Sequence, residues 1–367
     1  MDKKYIIQNR IRGSLVGGAV GDALGYPVEF WSEDEIFSRY GSTGITAYEV
    51  NPNSGLAVIS DDTQMTLFTA NALLFGLHRQ RARGISAEPR HYALYAYLGW
   101  LHTQENAYSK ETRIPDDPRG WASALLQDVP QLYARRTPGM TCLNGLKFRQ
   151  KDIDNNIRVS DFIAFRINDS KGCGGVMRIA PLGLALGWDM ARLDMEGAQL
   201  AAITHTHPLG YMPAAVLTHM INRLIHAEDQ PDLKAITIEA VNFVGELFAG
   251  NPFIAQLTDI LNKAIALSEN NDSDVANIGK LGEGWVAEEA LAISIYCSLK
   301  YKDDFSKAVI AAVNHKGDSD STGAITGNIM GALLGYDKIE EKWRTSLELH
   351  DLILQIADHL YTDFHSV

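Results

Sequence analysis

The chain has 367 residues, of which 46% are hydrophobic and 21% charged, and its formal net charge is −12. This hydrophobic content is enough for a large packed core and argues against an intrinsically disordered chain. The acidic balance argues against nucleic acid as a partner, because phosphate binding needs clustered Lys and Arg.

The cysteines and the N-terminus indicate where the protein works. The three cysteines include no CxxC pair, which is typical of a reducing compartment without disulfides. Charges throughout residues 1–10 leave no apolar core for a secretory signal. The longest weakly polar stretch, residues 13–25, is too short to span a bilayer and contains Asp22. We therefore expect a cytoplasmic protein without a membrane partner.

Apolar residues recur at helical spacing along most of the chain, which predicts a mainly helical fold. No Pro/Gly/Ser-rich linker marks a boundary, so we expect a single domain over residues 1–367. Extended structure is plausible only at residues 50–59 and 159–167. The predicted helices cover residues 62–77, 91–102, 190–203, 212–226, 233–248, 254–267 and 286–300.

Two segments near opposite ends of the chain carry a glycine at every fourth position. Glycine weakens a helix by about 0.8–1.0 kcal/mol per residue relative to alanine, so a whole stripe needs a reason. Close approach of helix backbones is the reason we expect, with chance as the alternative. If the stripes pack on each other or on a third helix, both ends of the chain meet in the middle of the fold. The stripes are Gly13, Gly17, Gly21, Gly25 and Gly323, Gly327, Gly331, Gly335.

Two acidic clusters lie near opposite ends of the chain, and the second directly precedes the second stripe. If their four Asp side chains converged, they could not all stay ionised, because like charges raise one another's pKa. Two divalent cations would balance the charge, and carboxylate and hydroxyl oxygens suit Mg²⁺ or Mn²⁺ better than zinc. The alternative is two unrelated helix N-caps. The clusters are Ser60-Asp61-Asp62-Thr63 and Asp318-Ser319-Asp320-Ser321-Thr322.

Three further segments offer chemistry. The glycine-rich run 170–178 could cradle a phosphate at a helix N-terminus, although it matches neither a P-loop nor a dinucleotide motif and could be a simple turn. His205 and His207 would diverge on a helix, so a capping or core role is the default. Glu29 lies among apolar and aromatic residues, and burial would raise its pKa toward the range useful for a general base. The alternative is a partly exposed loop Glu.

Two other charged segments carry less weight. Glu283, Glu288 and Glu289 surround Trp285 at a predicted helix start, where negative charge is favourable, so we assign them a mainly structural role. The cations of residues 135–136 could face an anionic ligand or belong to a solvated loop.

Taken in chain order, these segments resemble the ADP-ribosylglycohydrolase family, and the resemblance covers most of the chain. No single segment is decisive, but the ordered set is highly specific. The matching segments are Gly17–Gly25 with Glu29, Ser60–Met65, Gly172–Arg178, His205–Pro208, Gly282–Trp285 and Gly317–Gly323.

The resemblance implies a compact, orthogonal all-α domain with a two-metal site, usually magnesium with manganese as the alternative, at the floor of a cleft. Glu29 matches a glutamate beside the metals, and Glu29, Asp62 and Asp318 are the candidates for activating water. The implied metal ligands are Ser60, Asp61, Asp62, Asp318, Asp320 and Ser321. The residues implied to hold ADP-ribose are Ser170, Lys171, Gly172, Cys173, Gly174, Gly175 and His205.

The expected activity is hydrolysis of the bond between ADP-ribose and a modified protein side chain, with arginine favoured and ADP-ribose as product. Such an enzyme reverses endogenous mono-ADP-ribosylation or protects, as an immunity protein, against an ADP-ribosylating toxin. Hydrolysis of ADP-ribosyl-serine or O-acetyl-ADP-ribose is an alternative. A catalytically silent ADP-ribose-binding protein is another, but it would be expected to carry a broken acidic cluster, and both clusters are intact.

Overall fold

Helices make up the regular secondary structure of residues 2–114, 117–184, 188–228 and 230–365, the part of the chain that the computed structural model describes. The all-α prediction is therefore confirmed. The α-helices are α1 Lys3–Gly25, α2 Glu33–Tyr40, α3 Asp61–Arg83, α4 Pro89–Glu105, α5 Pro118–Ala122, α6 Met140–Asp154, α7 Ala180–Gly183, α8 Met190–Ala202, α9 Pro208–His226, α10 Leu233–Leu247, α11 Ile254–Leu267, α12 Asp274–Ile278, α13 Ala287–Lys300, α14 Phe305–Val313, α15 Ser319–Leu334, α16 Glu341–Arg344 and α17 His350–His365. Short 3-10 helices cover Tyr26–Val28, Lys110–Thr112, Pro130–Tyr133, Cys173–Gly175 and Tyr336–Lys338.

Every helix predicted from apolar spacing is present, and the differences lie at the ends. Helix α3 continues to Arg83, where Gly84 adopts a left-handed conformation (φ 64°) and ends it. Helix α9 begins four residues earlier than predicted, because Pro208 suits a first helical position and the His207 side chain caps the helix by accepting from the Leu209 N–H. Local capping chemistry therefore sets boundaries that apolar periodicity misses.

The two predicted extended segments are wrong as strands. Residues 50–59 form only isolated bridges, from Val50 to Ala57 and from Ala57 to Leu347. Residues 159–167 form bends, in which Asp161 accepts hydrogen bonds from the N–H groups of Ile163 and Ala164. Neither segment pairs with another segment over enough residues to form a β-ladder, so neither is a strand.

The two glycine stripes pack directly on each other, which confirms that the ends of the chain meet. Along α1 and α15 the glycines alternate so that the backbone of one helix lies against the carbonyl groups of the other. A methyl group on Gly13 would lie 2.7 Å from the Tyr336 nitrogen, and one on Gly327 would collide with the Gly17 carbonyl. Only glycine allows this separation, so the stripes fix the register of the two helices.

The surrounding helices bury one continuous cluster of apolar side chains around this pair. Helix α13 is buried over most of its length. The three cysteines are free thiols, as expected. Among the described residues, no helix is both long and apolar enough to cross a membrane. The single domain over residues 1–367 stays a prediction.

Gly327→Ala should destabilise the fold by about 2–3 kcal/mol, because the added methyl collides with backbone that cannot move without separating α1 from α15. Chemical denaturation measures the change in unfolding free energy. The matched control is Gly245→Ala in α10, where the methyl meets only Thr258 at 3.5 Å. That variant should gain up to about 1 kcal/mol from helix propensity. Equal effects in both variants would contradict the packing argument.

Candidate active site

The N-termini of α3 and α15 meet at one place, and both predicted acidic clusters lie there. Ser60 caps α3 by accepting from the Asp62 N–H at 3.1 Å, and Asp318 caps α15 by accepting from the Ser321 N–H at 3.3 Å. Both clusters therefore cap helices, but the alternative of two unrelated caps is wrong, because the two caps lie in one pocket. The glycine stripes align α15 with α1, and Asp22 on α1 bonds the first turn of α3. The positive ends of the α3 and α15 dipoles therefore face the same acidic pocket.

Five carboxylates form this pocket, and we call them the acidic cluster: Glu29, Asp61, Asp62, Asp318 and Asp320. Oxygens of Glu29, Asp318 and Asp320 all lie within 4.8 Å of one another. The four Asp residues are at most 4% exposed, and Glu29 is half-buried at the open side. Oδ1 of Asp62 is buried and accepts no hydrogen bond from the protein.

Electrostatics make this arrangement unfavourable for the protein alone. Burial, followed by repulsion from neighbouring carboxylates, raises the pKa of Asp61, Asp62 and Asp320 well above the usual range. Burial, and then the charge of Asp318, raises the pKa of Glu29 to about 8. Divalent cations would remove this conflict. The clustered carboxylate oxygens and the unpartnered Asp62 oxygen fit a hard ion such as Mg²⁺ or Mn²⁺.

Asp22, on α1, supports the pocket from behind and was given no role by the sequence. Its carboxylate accepts from the N–H groups of Ser60 and Thr63 and, at short distance, from the Thr63 hydroxyl. It is fully buried, and burial outweighs these hydrogen bonds in raising its pKa to about 6. Asp22 therefore holds the first turn of α3 against α1. Its position one residue after Gly21, as the one charged residue of the weakly polar stretch 13–25, was the available signal.

The glycine-rich segment lies against the acidic cluster but does not begin a long helix. Cys173–Gly175 forms one 3-10 turn, and α7, which follows, has only four residues. The Cys173 thiol donates to Asp318 at 2.7 Å, and the Cys173 N–H donates to the Trp285 carbonyl at 3.2 Å. The expected helix N-terminus is thus replaced by a turn pinned to the segment before α13.

Two other residues predicted to bind the ligand, Lys171 and Ser170, already have partners within the protein. The Lys171 ammonium forms an ion pair with buried Glu288, so its charge is already balanced. The Ser170 hydroxyl bonds that of Thr141 at 3.0 Å, and the Gly172 N–H donates to it at 3.4 Å.

The His205 ring lies against the glycine-rich turn, beside Gly172 and Gly174. Arg178 donates to the Thr204 hydroxyl at 2.8 Å, and that hydroxyl lies 2.8 Å from His205 Nδ1. This chain of bonds favours the tautomer with hydrogen on Nε2, which points toward Gly172 and Gly174. Burial lowers the pKa of His205 to about 3, so the ring is neutral. His205 thus offers the turn an uncharged N–H donor.

Two weaker predictions are resolved. Arg136 forms a two-pronged ion pair with Glu348 and donates to the Ile59 carbonyl, so it braces the fold and is not free for an anionic ligand. Glu289 accepts from the N–H groups of Glu283 and Gly284, which agrees with a structural role for this segment.

Comparison with known proteins identifies relatives along the whole chain. A family model described as ADP-ribosylglycohydrolase matches residues 3–367. ADP-ribosyl-[dinitrogen reductase] glycohydrolase of Rhodospirillum rubrum is 25% identical over 94% of this chain and 92% of its own. Human ADP-ribosylhydrolase ARH3 is 24% identical over 97% of this chain and 94% of its own. ADP-ribosylarginine hydrolase Tri1 of Serratia proteamaculans is 21% identical over 96% of this chain and 79% of its own. A solved ADP-ribosylglycohydrolase-related protein complex shares the fold, with TM-score 0.63 at 22% identity, over 98% of this chain and 99% of that one.

Without metal, stability should fall as pH rises from about 4 toward 8. The folded pKa values of Asp22 (about 6) and Glu29 (about 8) exceed their ordinary values of 3.8 and 4.5. The folded state therefore binds more protons than the unfolded state across this window, and raising the pH costs stability. Thermal melting in EDTA at several pH values tests this. Saturating Mg²⁺ should raise the melting temperature most at pH 8, since cations favour ionised ligands.

Asp320→Asn is the matched variant for this measurement. Removing one of the clustered charges should make the metal-free protein more stable than metal-free wild type at pH 8, and should abolish the Mg²⁺ increment. A variant that is less stable in EDTA, or one still stabilised by Mg²⁺, would remove Asp320 from the metal site.

Proposed function

Because this chain belongs to the ADP-ribosylglycohydrolase family, we propose that it is a metal-dependent hydrolase that releases ADP-ribose from modified protein side chains, with arginine-linked ADP-ribose as the preferred substrate. The observation that carries this proposal is the convergence of four Asp carboxylates at the N-termini of α3 and α15, with the Glu29 carboxylate beside them. Such a concentration of buried acid has no structural benefit unless cations offset it. The alternative of a catalytically silent binding protein gains no support from an intact cluster.

The proposed cofactor is two Mg²⁺ ions, with Mn²⁺ as the alternative. When bound, they supply Lewis-acid and templating chemistry at the ribose. In this assignment the side chains of α3 and α15 hold the ions, and the Asp22 hydrogen bonds keep the α3 residues in place. The proposed ligands are Ser60, Asp61, Asp62, Asp318, Asp320 and Ser321.

Glu29 is the proposed base for the attacking water. It is the least buried member of the acidic cluster, and Thr137 donates to its Oε2 at 3.1 Å, which leaves the other oxygen free. Glu29 accepts a proton from the water as the water oxygen bonds to the anomeric carbon, and the carbon–nitrogen bond breaks with its electron pair going to the nitrogen. The proton then passes from Glu29 to the guanidine, which leaves as a guanidinium ion. Asp62 and Asp318 are the alternative bases. Asp318 is the weaker of these two, because it already accepts a hydrogen bond from the Cys173 thiol.

The diphosphate of ADP-ribose is proposed to bind at the turn Gly172–Gly175. The glycines leave room for close backbone approach, and neutral His205 presents Nε2–H to the same turn. Ser170 lies beside this turn and could donate through its hydroxyl. Lys171 contributes little to this binding, since Glu288 neutralises it.

We favour the arginine linkage over other linkages because one relative is named an ADP-ribosylarginine hydrolase. Hydrolysis of ADP-ribosyl-serine or O-acetyl-ADP-ribose is the second candidate. We further propose that the enzyme acts in the cytoplasm, where it reverses endogenous modification or the action of an ADP-ribosylating toxin as an immunity protein. Release of ADP-ribose from arginine-linked and serine-linked peptides, with and without Mg²⁺, tests the proposal. No release from either peptide with Mg²⁺ present would contradict it.

Glu29→Gln should slow the chemical step by about 10²–10⁴-fold, because the substitution keeps size and polarity but removes the base. Single-turnover kinetics measure this loss, and calorimetric titration should give an almost unchanged Kd for ADP-ribose. Asp34→Asn on α2, which removes an exposed carboxylate nearby in sequence, is the control and should behave as wild type. Equal losses in turnover and binding would mean that Glu29 only supports the site.

Gly172→Ala should weaken ADP-ribose binding about tenfold, because the methyl occupies the space between the turn and His205. The backbone at Gly172 (φ −57°, ψ 160°) suits alanine, and the new methyl would lie 3.4 Å from His205 Nε2. The melting temperature and metal content should therefore stay normal. Gly174→Val is a poorer test, since its Cβ would lie 2.6 Å from Cys142 Sγ and displace the protein itself. Unchanged affinity in Gly172→Ala would place the diphosphate elsewhere.

A further inference from the structure

The turn that carries Glu29 has an unusual residue at its tightest point. Glu29 has φ −51° and ψ 137°, Phe30 has φ 70°, and the Trp31 N–H donates to the Val28 carbonyl at 3.0 Å. These angles define a type II turn, whose third position requires a positive φ and favours glycine or asparagine. A phenylalanine at this position strains the backbone, and residues strained in this way cluster at functional sites.

Burial does not explain this phenylalanine. Phe30 is 64% exposed, and its ring stacks on that of Trp285 with centroids 5.2 Å apart and 23° between the planes. We call these two rings the aromatic step. Trp285 belongs to the segment whose carbonyl group holds Cys173, so the aromatic step lies between Glu29 and the glycine-rich turn. The strained residue therefore presents an open aromatic face beside the proposed base.

Two carboxylates and one ammonium group lie near the aromatic step. Glu29 directly precedes Phe30, and the Trp285 indole N–H donates to Glu283 at 3.2 Å. One cation is near: Lys316 pairs with the other oxygen of Glu283 at 2.8 Å and lies on the exposed side. An open aromatic face flanked by carboxylates attracts a planar cation more than a neutral group.

From this geometry we propose that the aromatic step receives the guanidinium of the leaving arginine, which makes Phe30 a specificity-determining residue. This inference rests on the function proposed above and specifies its leaving group. A guanidinium stacked on Phe30 lies next to Glu29, where the bond to the ribose breaks. A serine side chain has neither the planar face nor the charge, so the aromatic step would give it no advantage.

Phe30→Gly and Phe30→Asn test the proposal, because both residues accept a positive φ and should preserve the turn without the ring. In both variants kcat/KM for an arginine-linked ADP-ribosyl peptide should fall about tenfold. The melting temperature, the Kd for free ADP-ribose and any turnover of a serine-linked peptide should stay at wild-type values. Phe30→Tyr, which keeps the ring, should retain arginine turnover. Phe148→Leu, which removes another exposed ring from the middle of α6, is the control and should change nothing.

The contrary outcomes are distinct. A lower affinity for free ADP-ribose would assign the aromatic step to the adenine or the diphosphate instead. Equal losses on arginine-linked and serine-linked peptides, or a lower melting temperature with unchanged kinetics, would give Phe30 a general or structural role. Each of these overturns the inference and leaves the proposed function standing. A wild-type enzyme that releases no ADP-ribose from the arginine-linked peptide would defeat both.

Discussion

The backbone contact between α1 and α15 is the constraint on which the rest of the molecule depends. Glycines at every fourth position let the helices touch through main-chain atoms, so neither helix can slide or rotate without a collision. This contact places the capped N-terminus of α15 beside the end of α1. Asp22 on α1 then draws in the first turn of α3 through three hydrogen bonds. The contact between the glycines of α1 and α15 thus positions the buried Asp side chains of the acidic cluster.

The acidic cluster shows how a protein accepts an unfavourable local arrangement for chemistry. Burial and mutual repulsion raise the pKa of several of its carboxylates, so the metal-free site loses stability as pH rises. Two helix N-termini offset part of this cost, and bound cations would offset the remainder. The most exposed member, Glu29, lies on a turn held by a strained phenylalanine. The core therefore fixes the proposed metal ligands, whereas a surface turn presents the proposed base.

The sequence predicted the helices and the two acidic clusters because both depend on local patterns. Apolar periodicity located α11 at its observed bounds, and the glycine spacing correctly predicted that the chain ends meet. The position of Asp22 among apolar residues was a signal, but its partners in α3 and the pairing of Lys171 with Glu288 could not be predicted, since each contact joins segments far apart in sequence. The turn conformation of Phe30 was missed for another reason: its residue type argues against a positive φ, so only coordinates reveal it.

Calorimetric titration of the metal-free protein with Mn²⁺ measures whether the joined N-termini of α3 and α15 form a site for two divalent cations. We expect two ions bound per chain in wild type. We also expect binding to be lost when Asp61 and Asp320, one from each helix, are both replaced by Asn. Absence of Mn²⁺ binding in wild type, or two ions still bound in the double variant, would mean that these helix ends do not form a two-cation site.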